Sequence, residues 1–362
     1  MTPALCANPP IAPAPDVTAP AVRPVDMVIL GANFGAKIAR QLIAAPGTVR
    51  VAGVCDLDQP KAHALANELN VSVYASLDQV LADPNVEAVG VFTGPIGRAR
   101  LIECIIQAGK HVMTTKPFEL DPAEAARAFA AAEQHRRVLH LNCPAPVPAA
   151  DLAAIREWLA SADLGRPVAL LARTWGDYHE VADGSWMDDP ARCPGGPLFR
   201  LGVYFLNDFA GLLGRPTEVH VQHARVRTGR PTPDNAQISI AYEGGALATI
   251  LTSFCVRDGQ PYRDDVEIAC ERGTIRRWMI RSGDLDMSRD HAVVELQRAG
   301  HPVRRVVTAT GDYAGWYAWP AFQAAVRGLP GSVPHNASET IAGVRLLAAL
   351  SRAALSGETV RL

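Results

Sequence analysis

The sequence lacks the features that would place it in several specialised classes of protein. Its 362 residues contain no apolar run long enough to span a membrane, so no membrane partner is expected. Lys and Arg are spread along the chain without a basic block, and the formal net charge is -2, which argues against a nucleic-acid partner. None of the 7 cysteines forms a CxxC pair or stands at zinc-ligand spacing from a histidine, so no metal site is predicted.

Targeting signals are also missing from the start of the chain. Residues 1–25 are rich in Pro and Ala, lack a basic start and a long apolar core, and contain no twin arginine, so a secretory signal is not predicted. Scattered cysteines without a pairing pattern are typical of reduced thiols in a cytoplasmic protein. Residues 1–25 are therefore interpreted as a flexible, Pro- and Ala-rich arm, either free or wrapped around a neighbouring subunit.

Short apolar strands alternate with helices of about ten residues in the first half of the chain. Strands are predicted at 26–30, 50–55, 86–92, 111–114 and 138–142. Helices are predicted between them, at 36–45, 60–69, 98–108 and 122–135. This alternation predicts that residues 26–145 form a doubly wound parallel sheet with right-handed crossovers.

The pattern changes in the second half of the chain. Helices are predicted at 149–160, 201–213, 314–327 and 338–356. Strands are predicted at 168–173, 218–226, 237–242, 246–254, 265–270, 274–279 and 292–296. Closely spaced strands joined by glycine turns indicate a mainly antiparallel sheet. Residues 146–362 are therefore predicted to form an α+β domain, which makes the whole chain an α/β protein of two domains.

A glycine-containing turn follows the first predicted strand. Gly31 and Gly35 flank Asn33 and Phe34 just before a helix, where glycine lets the backbone approach a phosphate and helix N–H groups face it. Only two glycines stand where GxGxxG has three, and the register is open: Gly31 is the first of the motif or Gly35 is the last. Asp56 ends the second strand, where a carboxylate accepts ribose hydroxyls and repels a 2'-phosphate. The first domain is therefore predicted to be a dinucleotide-binding Rossmann domain that uses NAD, with NADP as the alternative.

A lysine before a proline follows the strand predicted at 111–114. Ligands of doubly wound sheets bind at the carboxyl ends of the strands, so Lys116 is placed to face a cofactor and its substrate. Pro117 restricts the backbone there. An ammonium beside an alcohol stabilises developing alkoxide charge, and a desolvated lysine has a lowered pKa suited to acid–base work. Lys116 is therefore predicted to be catalytic, and the alternative is a surface lysine.

Several segments of the chain match one family pattern. They are Ala108-Gly109-Lys110-His111-Val112 with Lys116-Pro117, Cys55-Asp56-Leu57-Asp58, Trp186, Gly195-Gly196-Pro197-Leu198, Gly202-Val203-Tyr204 and the final stretch 351–362. Together they resemble the Gfo/Idh/MocA oxidoreductases, the glucose-fructose oxidoreductase and inositol dehydrogenase family, over nearly the whole chain after residue 26. The resemblance implies a Rossmann domain followed by a substrate-binding domain with an open sheet, and a last helix able to pack back on the first domain. It also implies a homodimer or homotetramer.

The resemblance assigns roles to Lys116 and Tyr204. In the family, the lysine of the Lys-Pro motif hydrogen-bonds the reacting oxygen and helps proton transfer. Tyr204 stands where the family usually has a histidine, and some members are similar in using tyrosine; a phenol close to Lys116 can donate and accept the proton. Asn207 takes the last acidic position of this second motif, with Asp208 beside it as a further substrate candidate. The three-residue spacing lets Tyr204 and Asn207 face the site from one side of a helix.

Two positions depart from the family pattern. Thr115 replaces a glutamate, and the loss of this neighbouring carboxylate is expected to lower the pKa of Lys116. Arg200 replaces the first aspartate of the second motif, which reverses the charge near the substrate. Three interpretations of Arg200 remain open: a clamp for a carboxylate or phosphate, a salt bridge to a local Asp, or loss of catalysis.

Other residues are candidates for the walls of the site. Thr93 and Pro95 belong to a turn that resembles the family's Thr-Pro turn beside the cofactor. Asn142 ends the last strand of the first domain, on the nicotinamide side. Trp186 is an aromatic candidate for a carbohydrate site, although packing in the core or at the rim accounts for it better.

Three functions are compatible with these residues. The first is an NAD(P)-dependent oxidoreductase that interconverts a secondary alcohol and a ketone on a sugar or polyol-like small molecule. The second is an imine reductase, because the glycine spacing from Gly31 to Gly35 is similar to that of thiazolinyl imine reductases. The third is a non-catalytic dinucleotide-binding protein, supported by Thr115 and Arg200. The Lys-Pro and Gly-x-Tyr motifs favour the first.

Overall fold

The computed structural model describes residues 22–259, 263–280, 290–309 and 317–362. The arm predicted at 1–25 therefore lies outside the described residues, apart from its last positions. The described residues form a parallel sheet covered by helices, followed by a mainly antiparallel sheet. This architecture confirms the predicted fold class.

The first sheet is parallel and has six strands in the order β3-β2-β1-β4-β5-β6. Its strands are β1 (Val25–Leu30), β2 (Val49–Cys55), β3 (Ser72–Tyr74), β4 (Ala88–Val91), β5 (His111–Thr114) and β6 (Leu139–Leu141). β1 and β4 are buried at every position, because helices cover both faces of the sheet. The strand order reverses between β1 and β4, and doubly wound sheets bind ligands in the crevice beyond the carboxyl ends of such strands.

Five helices connect these strands. They are α1 (Phe34–Ala44), α2 (Gln59–Leu69), α3 (Leu77–Ala82), α4 (Arg98–Gln107) and α5 (Pro122–Gln134). The side chains of Asp58, Ser76 and Asp121 accept hydrogen bonds from first-turn N–H groups and so fix the starts of α2, α3 and α5. Helix α1 has no such cap, since the side chain of Asn33 makes no hydrogen bond to it. Its first N–H groups are left available for another acceptor.

In the part of the chain that the structure describes, the second sheet has nine strands in the order β14-β13-β12-β11-β7-β10-β9-β8-β15. Its strands are β7 (Pro167–Trp175), β8 (Pro216–Ala224), β9 (Asn235–Tyr242), β10 (Leu247–Ser253), β11 (Arg263–Cys270), β12 (Gly273–Ile280), β13 (His291–Arg298), β14 (Arg304–Ala309) and β15 (Val360–Arg361). Neighbouring strands are antiparallel except β7 and β10. Buried and exposed positions alternate along β9, because one face of the sheet packs against helices and the other is open.

The remaining helices of the described residues pack on one face of this sheet, except the helix that carries Phe322, which packs in the core of the first domain. They are α6 (Ala150–Ser161), α7 (Val203–Asp208), α8 (Trp319–Val326) and α9 (Ala337–Ser356). A π-helical turn at Leu198–Gly202 leads into α7, and a 3-10 turn at Ala210–Leu213 follows it. Helix α9 contributes Val344 to the core of the first domain, and Leu347 and Leu350 to the core of the second.

The structure departs from the predicted elements in a few places. The helix predicted at 201–213 is divided into the π-turn, α7 and the 3-10 turn. The elements β3, α3, β14 and β15 have no counterpart in the prediction. The helix predicted at 314–327 begins at Trp319 within the described residues, and 310–316 lie outside them. Within the described ranges, no helix combines the length and the apolar character needed to cross a membrane.

Candidate active site

The turn after β1 has the shape of a phosphate-binding turn. Gly31 has a φ of +96°, and a Cβ there would lie 3.1 Å from the backbone carbonyl of Phe92, so this position requires glycine. Gly35 lies so close to Ile29 that an added Cβ would approach Cγ2 to 2.7 Å. The two glycines therefore serve a left-handed turn and close helix–sheet packing. Together with the uncapped first turn of α1, they fit the diphosphate of a dinucleotide.

Asp56 is hydrogen-bonded to the same turn. Its carboxylate accepts the N–H of Ala32 at 2.6 Å and the N–H of Asp58 at 2.8 Å. A carboxylate oxygen has two lone pairs, so each oxygen can also accept a ribose hydroxyl. Lys61 lies nearby, with its Nζ 3.0 Å from Asn33 Oδ1 and 3.5 Å from Asp58 Oδ2. This end of the turn thus combines a carboxylate with an ammonium; for a dinucleotide bound here, the carboxylate would favour NAD and the ammonium would pair with a 2'-phosphate.

The loop after β4 lies next to the glycine turn. Phe34, which is 40% exposed, packs edge-to-face on Phe92 with the ring centres 6.1 Å apart. Thr93 and Pro95 follow Phe92 in this loop, and the carbonyl of Thr93 accepts a hydrogen bond from the guanidinium of Arg98. The candidate cofactor residues of β1 and β4 are therefore neighbours across the point where the strand order reverses.

Arg98 ties the loops after β4 and β5 together. It is 2% exposed, and its guanidinium donates to the carbonyls of Thr93, of Thr115 at 2.6 Å and of Pro117. No carboxylate within the described part of the chain forms an ion pair with it, and burial lowers its pKa to about 10. Thr115 and Pro117 flank Lys116, and the peptide bond between Lys116 and Pro117 is cis. Arg98 therefore fixes the backbone on both sides of the candidate catalytic lysine.

Lys116 extends from the end of β5 into a partly buried space. Its Nζ donates to the carbonyl of Arg200 at 2.6 Å and lies 4.6 Å from the centre of the Tyr204 ring. Its backbone N–H donates to Asn142 Oδ1 at 3.0 Å. Burial, followed by the positive charges of Arg200 and Arg98, lowers the pKa of Lys116 to about 7. A lysine with this pKa can exchange a proton at neutral pH.

Asn142, which follows β6, connects Lys116 to Tyr204. Its Nδ2 donates to the Tyr204 hydroxyl at 3.4 Å, and the hydroxyl of Thr115 donates to its Oδ1 at the same distance of 3.4 Å. Asn142 and Tyr204 both line a cavity of about 320 Å³, and Asp208 lies in its wall. The predicted residues Lys116, Asn142 and Tyr204 thus contact one another. Asn142 and Tyr204 line the cavity, whereas Lys116 contacts these two residues and is not among the described residues of the cavity wall.

Arg200 is held away from this cavity by a salt bridge. Its guanidinium pairs with Glu180 and lies over the rings of Tyr178 and Phe254, at 4.9 Å and 4.8 Å from their centres. Glu180 is also bound by the buried Arg230 at 3.0 Å. Of the three interpretations of Arg200, the structure shows a salt bridge. Its partner is a glutamate, Glu180, and not the expected Asp. The backbone carbonyl of Arg200, rather than its guanidinium, contacts the candidate catalytic lysine.

Asn207 points away from the cavity that Tyr204 lines. Its Nδ2 donates to the carbonyl of Cys143 at 3.0 Å, and its Oδ1 lies against Gly343 of α9, where an added Cβ would approach it to 2.1 Å. Asp208, one helical turn after Tyr204, lies in the cavity wall instead. The expectation that Asn207 and Tyr204 face the site together is thus corrected, because the packing of α7 against α9 sets the rotation of the helix.

Trp186 lies at the junction of the two domains. A Cβ on Gly94 would approach Trp186 Cδ1 to 3.0 Å, so the indole packs on the loop that carries Thr93 and Pro95. On its other side, its ring centre is 6.2 Å from that of Phe199. Trp186 therefore packs on the cofactor loop, and it is not among the described residues of the cavity wall.

Arg98, Lys61 and Glu180 are site residues that the sequence predictions do not contain. Lys61 and Glu180 are charged residues outside every motif, and nothing in their neighbourhood marks them. Arg98 opens helix α4, where an arginine is normally interpreted as solvent-exposed. Its partners are backbone carbonyls 5 to 19 residues away. Every residue has a backbone carbonyl, so the sequence does not indicate which ones Arg98 binds.

Replacing Arg98 by Lys is expected to lower kcat at least about tenfold, because one ammonium cannot bind carbonyls of both loops and Lys116 loses its fixed backbone. We also expect a loss of about 1–3 kcal/mol of unfolding free energy from carbonyls left unpaired. Steady-state kinetics and urea unfolding measure the two effects. The matched control is Arg100→Lys on the same helix. Its guanidinium is exposed and shares Glu124 with Arg127, so both quantities should stay nearly unchanged. A destabilised Arg98→Lys enzyme with normal kcat would show that Arg98 has a structural role alone.

Comparison with known proteins gives two family matches. Residues 25–143 match an oxidoreductase family with an NAD-binding Rossmann fold, and residues 152–276 match the Gfo/Idh/MocA C-terminal domain. The first match confirms the predicted cofactor class. The second lies in the domain that carries Tyr204 and Asp208.

Curated relatives align with part of the chain. Galactose 1-dehydrogenase of Pseudomonas fluorescens is 27% identical over 68% of this chain and 73% of its own length. An uncharacterized oxidoreductase of Schizosaccharomyces pombe is 29% identical over 41% of this chain and 40% of its own length. The alignments with three such relatives span only 40%, 43% and 52% of their lengths.

Solved structures share the fold over nearly the whole chain. An inositol dehydrogenase homolog from Azotobacter vinelandii, complexed with NAD+, has a TM-score of 0.73 at 18% identity, covering 94% of this chain and 98% of that one. An aldose-aldose oxidoreductase from Caulobacter crescentus, complexed with glycerol, has a TM-score of 0.69 at 20% identity, covering 94% of this chain and 100% of that one. At these identities the comparison shows the common fold.

Proposed function

This chain belongs to the Gfo/Idh/MocA oxidoreductase family, and we propose that it interconverts a secondary alcohol and a ketone on a sugar or polyol-like small molecule. The proposed cofactor is NAD, with NADP as the alternative. The observation that carries the proposal is the meeting of Lys116, Asn142 and Tyr204 beside one cavity. The name of galactose 1-dehydrogenase, one of the relatives, adds support for a sugar substrate.

The dinucleotide supplies the hydride acceptor for oxidation and the hydride donor for reduction. We expect the Gly31–Gly35 turn to hold its diphosphate and Asp56 to hold its adenosine ribose. Thr93 and Pro95 would line its middle, and Asn142 would lie on its nicotinamide side. We therefore expect the reacting carbon of a substrate to lie beside Tyr204, in the cavity that Tyr204 lines.

Lys116 and Tyr204 are proposed to transfer the proton of the substrate hydroxyl. In alcohol oxidation the neutral amine of Lys116 accepts the hydroxyl proton, and the Tyr204 hydroxyl relays it. In ketone reduction the ammonium form stabilises the developing alkoxide and returns the proton. Asn142 binds both the Lys116 backbone and the Tyr204 hydroxyl, so it holds the two groups in register.

Cofactor binding is tested by thermal stabilisation of the purified protein. A ligand present at about 100 times its dissociation constant adds about 2.7 kcal/mol to the unfolding free energy, which raises the melting temperature visibly. We expect NADH to stabilise more than NADPH does. A larger response to NADPH would overturn the role given to Asp56, and no response from protein free of copurified nucleotide would overturn dinucleotide binding.

The Asp56→Asn variant sharpens this test. The amide keeps an acceptor for the N–H of Ala32 but loses the charge-assisted bonds to ribose, so NADH affinity should fall about tenfold to hundredfold. Because the repulsion of a 2'-phosphate is also removed, NADPH should now bind better than NADH. Lys61→Gln should reduce the NADPH response specifically. Equal cofactor responses in all three proteins would contradict both assignments.

Turnover separates the proposed function from its alternatives. A panel of aldoses and inositols with NAD, and of their ketones with NADH, is expected to give activity. Turnover of cyclic imines but of no polyol would favour an imine reductase. Tight dinucleotide binding with no turnover of either class would favour the non-catalytic alternative.

The open face of the second sheet is proposed to join copies of the chain into a homodimer or homotetramer. Leu171, Leu247 and Leu251 are 56%, 60% and 41% exposed on neighbouring strands of this face. Large apolar side chains exposed on one face of a sheet favour a protein interface, and here they lie among charged residues such as Arg173 and Glu267. Light scattering should show an oligomer that Leu171→Lys combined with Leu251→Lys dissociates, and a wild-type monomer would rule the interface out.

A further inference from the structure

We propose that Asp208 binds the substrate and that it selects an amino-substituted polyol, whose ammonium pairs with the Asp208 carboxylate while a neighbouring carbinol meets Lys116 and Tyr204. The inference rests on the proposed function and names its substrate class. Three aspartates are among the described residues of the cavity wall. Asp208 is the one that lies on the same short helix as Tyr204.

The position of Asp208 follows from the geometry of α7. Residues four apart lie on one face of a helix, so Asp208 and Tyr204 are neighbours in the cavity wall. The cavity, about 320 Å³, has room for a monosaccharide-sized molecule that reaches both side chains. A substrate whose carbinol lies at Tyr204 therefore presents another of its substituents to Asp208.

The carboxyl of Asp208 has no cationic partner within the described residues. Its Oδ2 accepts a weak hydrogen bond from the Cys143 thiol at 3.4 Å, and Oδ1 has no hydrogen-bond donor there. Burial raises the pKa of Asp208 to about 7, and the negative charge of Asp151 adds to this. A carboxyl kept in a cavity without a cation is expected to gain a strong interaction when a cationic ligand arrives.

The rest of the described cavity wall favours a cation as well. Arg277 is the basic residue in that wall, and it is already engaged by Asp151 at 2.9 Å and by Asp264 at 2.9 Å. The described wall thus carries three carboxyl groups, those of Asp151, Asp208 and Asp264, and one guanidinium that is already paired with two of them. Since Arg200 is held by Glu180 outside this wall, a carboxylate or phosphate on the substrate would meet repulsion here.

An ammonium on the substrate also suits the proposed chemistry. Lys116 must be neutral to accept a proton from an alcohol, and a nearby positive charge favours its neutral form. Because the Asp208 carboxyl ionises when it binds the ammonium, the pair is neutral overall, and its formation is compatible with a neutral Lys116.

Matched pairs of substrates test the inference directly. D-galactosamine with D-galactose, D-glucosamine with D-glucose, and an inosamine with its parent inositol differ by one amino group. We expect kcat/KM for the best amino member to exceed that of its hydroxyl parent at least about tenfold. Asp208→Asn should remove most of this advantage, so that within this variant the kcat/KM values of the amino member and of its hydroxyl parent differ by no more than about threefold. The control is Asp78→Asn, an exposed aspartate of α3, which should leave both members unchanged.

Calorimetry measures the buffer dependence of the binding enthalpy, which a purely structural role of Asp208 would not change. Binding an ammonium ionises Asp208 near pH 7 and releases a proton, so the measured enthalpy should vary with the ionisation enthalpy of the buffer. Asp151, Arg156, Arg277 and Cys143 also act on Asp208, and Lys116 titrates in the same range. The contribution of Asp208 is therefore the difference in buffer dependence between wild type and Asp208→Asn, measured on the NADH complex.

The outcomes distinguish this inference from the proposed function. If neutral polyols are oxidised and amino members are neither better bound nor better oxidised, the inference is wrong and the function stands. If nothing is oxidised, the function fails, and binding of the amino members to the NADH complex still decides the role of Asp208. If Asp208→Asn does not fold, equal binding of amino and hydroxyl members by the wild type overturns the inference.

Discussion

The Lys116→Met variant is expected to lose about 10²- to 10⁴-fold in kcat for alcohol oxidation, the contribution of a positioned acid–base group. Met removes the amine but fills a similar volume, so the fold and the hydrogen bond from the backbone N–H to Asn142 are kept. Thermal stabilisation by NADH should therefore stay close to that of the wild type. Kinetics under saturating cofactor, with the NADH-induced melting shift as the control, measure both parts of the expectation.

The pH dependence of oxidation follows from the lowered pKa of Lys116. Oxidation needs the neutral amine, so kcat/KM should rise with pH and level off above about 7, the pKa that burial and then the charge of Arg200 produce. Ketone reduction needs the ammonium form and should fall over the same range. The Lys116→Met enzyme should lose this inflection from its residual rate.

Asp208 can produce an inflection at the same pH as Lys116, because burial raises the pKa of Asp208 to about 7 as well. The Asp208→Asn variant separates the two titrations, since it keeps Lys116 and removes the carboxyl. If the inflection survives in Asp208→Asn and disappears in Lys116→Met, it belongs to the lysine. An oxidation rate that is unchanged in Lys116→Met would leave the lysine without a catalytic role.

Much of the fold is readable from the sequence because its strands are bounded by strong signals. β5 begins after Gly109-Lys110 and ends before Lys116-Pro117, and its predicted range matches the observed His111–Thr114. The location of Lys116 followed from this, because parallel strands deliver their following residues to the ligand-binding edge. The same reasoning predicts the position of Asp56, which directly follows β2.

The details of the second domain depend on packing that a sequence does not display. Asn207 and Asp208 are adjacent, and helical spacing allows either to accompany Tyr204. The choice is made by Gly343 on α9, which leaves room for the Asn207 side chain and so turns Asp208 towards the cavity. A contact between positions so far apart in the chain has no local signature.

The charge of Arg200 illustrates the same limit. Its residue type suggested an anion clamp, yet its guanidinium is occupied by Glu180 and its carbonyl contacts Lys116. The π-helical turn at Leu198–Gly202, which carries this carbonyl, replaces the regular helix predicted there. Turns of this kind are common at functional sites, and helical periodicity alone does not reveal them.

Replacing Arg277 by Met is expected to cost about 3–5 kcal/mol of unfolding free energy, the largest stability loss among these variants. Arg277 is 3% exposed in its side chain, and it binds the nearly buried carboxylates of Asp151 and Asp264, each at 2.9 Å. Met fills part of the volume but leaves two buried charges without a cation. Urea unfolding monitored by circular dichroism measures the loss.

Two comparisons show whether the loss comes from uncompensated charge. Arg305→Met removes an exposed ion pair with Glu295 on the same sheet and should cost about 0–1 kcal/mol. Adding Asp151→Asn and Asp264→Asn should shrink the deficit of Arg277→Met, because neutral amides need no cation, whereas a deficit caused by a packing defect would persist. A loss below about 1 kcal/mol at neutral pH would mean that water solvates Asp151 and Asp264 through the adjoining cavity. The wall of the cavity would then be hydrated. In a hydrated cavity the interaction energy between a bound ammonium and the Asp208 carboxylate would be smaller than in a dry one.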